Sequence, residues 1–143
     1  MIEIIEVIHL KKGFTLAELL GVIVVLGLLA MIAVPAVTDS LNKYKKNLCN
    51  TQISYMIESA RNWGADHLLQ LPEEGQILKI TVSELIQQGY MEGDRDAVNA
   101  EDQLKVRNPN TKEYFTPDPV ITISKSGKKY VYKMDNTTLN SCK

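Results

Sequence analysis

Residues 14–37 read FTLAELLGVIVVLGLLAMIAVPAV and hold a single charge, Glu18. As an α-helix this stretch would be about 36 Å long at 1.5 Å per residue, enough to cross the hydrocarbon core of a bilayer. Apolar residues occupy every face, whereas a helix lying on a soluble core is apolar along one stripe. The segment therefore predicts a membrane span. A cleavable secretory signal competes with that reading, but its apolar region usually runs about 7–15 residues and ends at small residues. Here the run is longer, and Pro35 interrupts the Ala-rich stretch that would serve as a cleavage site.

Charge asymmetry does not orient the span. Lys11 and Lys12 precede it, while Lys43, Lys45 and Lys46 follow closely, so a positive-inside count is ambiguous. A more specific signal is the junction at residues 11–20, KKGFTLAELL. A basic pair, a glycine, an aromatic residue and a carboxylate four residues further on stand directly before the apolar run. This arrangement resembles the type III signal sequence of type IV prepilins and the related pseudopilins. In that family an inner-membrane aspartyl peptidase cuts on the cytoplasmic side, after the glycine, and methylates the new amine. The resemblance implies cleavage between Gly13 and Phe14, N-methylation of Phe14, and a soluble part outside the cytoplasmic membrane.

Glu18 has two readings. A carboxylate in lipid costs on the order of 2.5–3.5 kcal/mol, so it calls for a partner or a function; alternatively it sits at the interface and snorkels to water. The resemblance supplies a partner, the amine of Phe14 in a neighbouring subunit. Gly21, Gly27 and Pro35 read as packing and flexibility devices, since small residues let membrane helices approach and proline removes a helical hydrogen bond. The family has a proline at the place of Pro35 and often a glycine at that of Gly27, which implies a helix able to loosen between them.

Beyond the span the helical pattern continues to about residue 71. Cys49, Ile53, Met56, Ile57, Ala60, Gly64, His67, Leu68 and Leu71 recur at spacings of three and four, one face of an amphipathic helix with Trp63 at its edge. Pro72 and Gly75 punctuate the chain. Residues 81–91 predict a short helix starting near Thr81 or Ser83 and closed by Gly89. Residues 92–103 read as an acidic loop, 104–107 as a short strand and 108–111 as a turn. The clearest β pattern is 120–124 and 129–134 around a turn at 125–128, an alternating hairpin. The predicted fold is α+β and pilin-like: a long N-terminal helix, transmembrane then amphipathic, packed on a small antiparallel sheet. The expected divisions are a leader at 1–13, a span at 14–37, the amphipathic continuation at 38–71 and an extracytoplasmic head at 72–143.

Cys49 and Cys142 form no C-x-x-C and no Cys/His cluster, which disfavours zinc and thioredoxin-like chemistry. If the head is exported, as the resemblance implies, a disulfide between them is the natural reading; two free thiols are the alternative. With Lys+Arg 16 against Asp+Glu 17, no global basic field argues for nucleic acid. Lys125, Lys128, Lys129 and Lys133 gather near Tyr130 and Tyr132, a patch that DNA would suit, but lysines on an exposed hairpin also protect sheet edges from aggregation. The second reading is preferred. Asp94, Asp96, Glu101 and Asp102 do not match an EF-hand spacing, so no metal is expected, and no cofactor. His9 lies in the leader and His67 on the packing face; with no G-x-S-x-G and no H-E-x-x-H, the sequence carries no enzyme signature.

The reading is therefore a structural subunit, a pilin or pseudopilin of a type IV pilus-like filament. The implied partners are a prepilin peptidase, other pilin subunits, an assembly platform and motor, and the membrane. It would be a single-pass membrane protein before assembly and part of a surface or envelope-spanning filament afterwards. The rival is a monomeric signal-anchored protein with a small extracytoplasmic binding domain.

Overall fold

The computed structural model describes residues 13–143; the proposed leader, with Lys11, Lys12 and His9, lies outside them but for Gly13. Helix α1 runs over Leu16–Asp66. It belongs to two compact units, one ending at Ser40 and the other spanning Leu41–Lys143.

In the first unit none of residues 13–40 is buried. Its large apolar side chains stand open, from Val22 at 48% to Phe14 at 84% exposure. The helix passes through Pro35. Just beyond it, the Thr38 and Ser40 hydroxyls donate to the carbonyls of Val34 and Ala36 at 2.9 and 3.0 Å. Such bonds to the carbonyl four residues back replace solvent for a hydroxyl on an otherwise apolar surface.

The second unit is organised by spacing. Cys49, Ile53, Met56, Ala60 and Trp63 are buried, and their steps of four, three, four and three put them on one side of α1. That side packs on a three-stranded antiparallel sheet formed by β1 (Ile77–Thr81), β2 (Val120–Ser126) and β3 (Lys129–Met134), in the order β1-β2-β3. Ile121 pairs with Ile80 on one side and Met134 on the other, and Ile123 with Leu78 and Tyr132. Because side chains alternate across a strand, Ile80, Ile121, Ile123 and Met134 share the buried face. Burying a side chain such as Met56 completely contributes about 1.5–3 kcal/mol. The β2–β3 turn is two residues long, and Gly127 takes φ +62° at its first position, where a type II′ hairpin favours glycine.

Short helices fill the connections. In α2 (Val82–Gln87), Thr81 and Glu84 form a reciprocal capping box. At its other end Gly89 has φ +82°. Gly89 N–H donates to Ile86 O at 3.0 Å and Tyr90 N–H to Leu85 O at 2.9 Å, a Schellman closure. Within the stretch read as a loop, α3 spans Ala100–Gln103. Residues 104–107 form no strand, only an isolated bridge between Arg107 and Tyr114. The last helix, α4, covers Asn136–Asn140 and is capped by Asp135.

Two further expectations are corrected, and one element is added. The α-helix ends at Asp66, and a 3-10 turn at Leu68–Gln70 follows. Pro72 holds Leu71 in extended backbone (φ −69°, ψ 145°), because the residue before a proline is pushed out of the α region. The break lets Leu71 turn into the core while Leu68 and Leu69 face water. Trp63 is buried and not at an edge; its indole donates to Gln88 Oε1 at 2.8 Å and stacks on His67 at 4.6 Å. Strand β1, not anticipated, completes the sheet beside β2.

Candidate functional site at the N-terminal junction

Gly13, Phe14, Thr15 and Glu18 line an open depression of about 290 Å³. Residues 13–15 have no regular structure, and nothing lies within 4 Å of the place a Cβ would occupy on Gly13. The bond between Gly13 and Phe14 is thus in irregular, exposed backbone. One residue later the helix begins. Thr15 is its N-cap: Glu18 N–H donates to Thr15 Oγ1 at 3.2 Å, and Glu18 Oε2 accepts from Thr15 N–H at 3.0 Å and Thr15 Oγ1 at 3.1 Å. This reciprocal box satisfies donors that a helix start leaves free. The carboxylate also sits where the helix dipole is positive. Only one carboxylate oxygen is used; Oε1 accepts no hydrogen bond among the described residues.

A protein-family model described as the prokaryotic N-terminal methylation motif matches residues 8–34. The chain carries the N-terminal methylation motif. The match is consistent with type IV prepilins and pseudopilins, and it supports a type IV pilin-like precursor. No curated protein and no solved structure matches the chain. The motif covers the junction together with the N-terminal, apolar part of the one described helix that is long and apolar enough to cross a membrane, an arrangement that fits a membrane-anchored precursor. With α1 packed on the small sheet, the fold is the α+β, pilin-like one expected.

Within the methylation motif, Gly21 and Gly27 have nothing within 4 Å of an added Cβ, leaving room for close approach by a neighbouring helix. Pro35 stands just past the end of the match. Outside the motif, Cys49 and Cys142 are joined in a disulfide with Cα atoms 5.5 Å apart, and both are buried. Asn108 packs beside this bond, its Oδ1 lying 3.2 Å from Cys49 Sγ. Its amide donates to Ser141 O at 3.3 Å and Ser141 Oγ at 3.2 Å, while its Oδ1 accepts from Asn110 N–H at 2.8 Å. A buried amide saturated in this way ties the 108–113 turn to the C-terminal segment. Sequence reasoning saw in Asn108 only a turn residue, and overlooked Thr15, which the T-x-x-E spacing marks as a cap.

The weaker candidates are engaged elsewhere. Asp94 accepts from Arg107 Nε at 2.6 Å and Tyr114 Oη at 2.8 Å, and Glu101 and Asp102 each pair with Lys105 at 3.0 Å. The Tyr114 hydroxyl and the Arg107 guanidinium hold the Asp94 carboxyl below its ordinary value. Among the described residues no group of three His, Cys, Asp or Glu side chains is placed to hold a metal. On the hairpin, Lys125 pairs with Glu73 at 2.8 Å, so the lysine patch is not a set of free cations.

Proposed function

We propose that the chain is the precursor of a structural subunit of a type IV pilus-like filament. The observation that carries this reading is the methylation motif lying directly on an apolar helix whose every face is open. Such a helix needs lipid before assembly and other apolar helices afterwards, because burying its side chains is the main favourable term available to it. In this reading a prepilin peptidase cuts between Gly13 and Phe14 and methylates the Phe14 amine. The head lies outside the cytoplasmic membrane, and the subunit joins other pilin subunits through an assembly platform and motor. The role is structural and not catalytic. Gly27 and Pro35 are the places where the span loosens during assembly.

The resemblance to type IV prepilins gives Glu18 the assembly contact, and the local electrostatics are compatible with it. Cleavage places a new cation at the start of α1, where the helix dipole is itself positive and a cation is disfavoured. Oε2 of Glu18 is held by its own Thr15, which leaves Oε1 to accept from the amine of an adjacent subunit.

The test is co-expression with a prepilin peptidase and mass spectrometry of the product. The expected mature chain begins at N-methylated Phe14, and Gly13→Ala abolishes processing. Glu18→Ala is expected to leave processing intact and to reduce incorporation into filaments at least tenfold. A chain that keeps its first 13 residues points instead to the monomeric signal-anchored protein.

A further inference from the structure

Between residues 38 and 57, α1 carries Lys43, Lys45 and Lys46 against one acid, Asp39. With Asn42, these three lysines line an open groove of about 400 Å³ that Asn110 and Lys143 complete from elsewhere in the chain. Lys143 is held there by the Cys49–Cys142 bond at the preceding residue. Asn110 is held by its side-chain amide, which donates to Ser141 O at 3.4 Å. None of the four lysines forms an ion pair among the described residues. Lys143 Nζ donates to Asn140 Oδ1 at 2.6 Å; like charges gathered around one groove repel one another, and an anion seated among them removes that cost.

Where the groove lies on the chain selects the anion. Only six residues separate Lys43 from Val37, the end of the apolar stretch. At the helical rise that is about 9 Å, and no backbone geometry makes it more than about 22 Å. Because the helix is continuous here, Lys43 lies about one Debye length from the end of the apolar stretch, within reach of anionic headgroups. Lysines directly following a span also oppose translocation of the side that bears them, so their presence there is a cost that needs an offset. We infer that the groove formed by Lys43, Lys45, Lys46 and Lys143 seats the phosphate of an anionic lipid headgroup. The inference rests on the membrane anchoring proposed above and is independent of filament assembly.

The test uses the full chain in dodecylmaltoside micelles, titrated with short-chain phosphatidylglycerol or phosphatidylcholine and read by native mass spectrometry. Phosphatidylglycerol is expected to bind at least about tenfold more tightly. At about fivefold for each lysine near an anionic surface, K43Q/K45Q/K46Q should weaken it roughly a hundredfold and K143Q about fivefold. K43R/K45R/K46R should retain binding, and a formed disulfide shows that each variant has folded. Equal binding of the two lipids, or a preference that survives in the triple glutamine variant, overturns the proposal. Competition by millimolar inorganic phosphate assigns the groove to a free anion instead. Cross-links from these lysines to carboxylates of a second copy, without lipid preference, assign it to a protein partner. Alkaline extraction of membranes is scored separately. A chain released by alkali fails the anchoring reading itself, whereas one that stays but shows no preference fails only the lipid site.

Discussion

Residues 16–40 and 41–66 belong to the same α-helix, yet they solve opposite problems. In the first part, side chains such as Leu28 and Ile32 are 60% and 75% exposed, and the surrounding medium must supply their apolar contacts. In the second, the protein supplies them: Cys49, Met56 and Ala60 are wholly buried, while Lys45, Lys46 and Glu58 face water. Backbone geometry is common to both, and so is the intrahelical hydrogen bonding. What differs is whether apolar residues recur on one stripe or all round, and that alone decides which solvent each part requires. Perturbing one part should consequently leave the other intact.

The largest expected effect belongs to the head. Cys142→Ala removes a bond closing a separation of 93 residues, which on the chain-entropy model lowers stability by about 4–5 kcal/mol. Denaturant unfolding should register that loss while membrane integration, assayed by alkali, is unchanged; a loss of integration would break the division. Next comes Leu26→Asp, at mid-span. It should cost about 3–4 kcal/mol of insertion free energy and leave the unfolding transition of the head where it was. Gly93→Ala comes third. A Cβ there would collide with the Gln103 carbonyl, a backbone atom that cannot swing aside, so a loss of about 2 kcal/mol is expected. An unaltered melting temperature would refute that contact.

The smallest effect is a pH response confined to the head. The Tyr114 hydroxyl and Arg107 guanidinium keep the Asp94 carboxyl below its ordinary value of 3.8. Its contribution is therefore complete above 3.8 and is lost as the pH falls through the depressed value of the folded protein. Amide protection factors around Asp94 and Arg107, corrected for the intrinsic pH dependence of exchange, should fall on acidification through that range, with the core of α1 still protected. Protection that does not respond would show that these contacts contribute nothing.

The features readable from sequence were those whose cause is local. The apolar run, the KKGF junction, the four-and-three spacing from Cys49 to Ala60 and the alternation around Gly127 each carry their own signal. Strand β1 does not, because ILKIT becomes a strand by pairing Leu78 and Ile80 with Ile123 and Ile121, more than forty residues away. The early end of α1 at Asp66 was hidden for a related reason. Leu68 fits the helical stripe by spacing, but Pro72 and the burial of Leu71 redirect the chain. At the junction, Thr15 could have been recognised from T-x-x-E; attention to the membrane cost of Glu18 obscured its simpler role as a cap. Asn108 gave no signal, since its partners Ser141 and Cys49 meet only in the folded chain.

The separation of the two cysteines also sets an order of events in time. At roughly 5–20 residues per second of synthesis, Cys49 leaves the ribosome about 5–19 s before Cys142. During that interval it has no partner in its own chain, and in the proposed reading the pair closes only outside the cytoplasm, where an oxidising environment accepts the two electrons. A copy that stalls between the two cysteines never acquires its partner, so pairing of the two sulfurs records that translation passed residue 142.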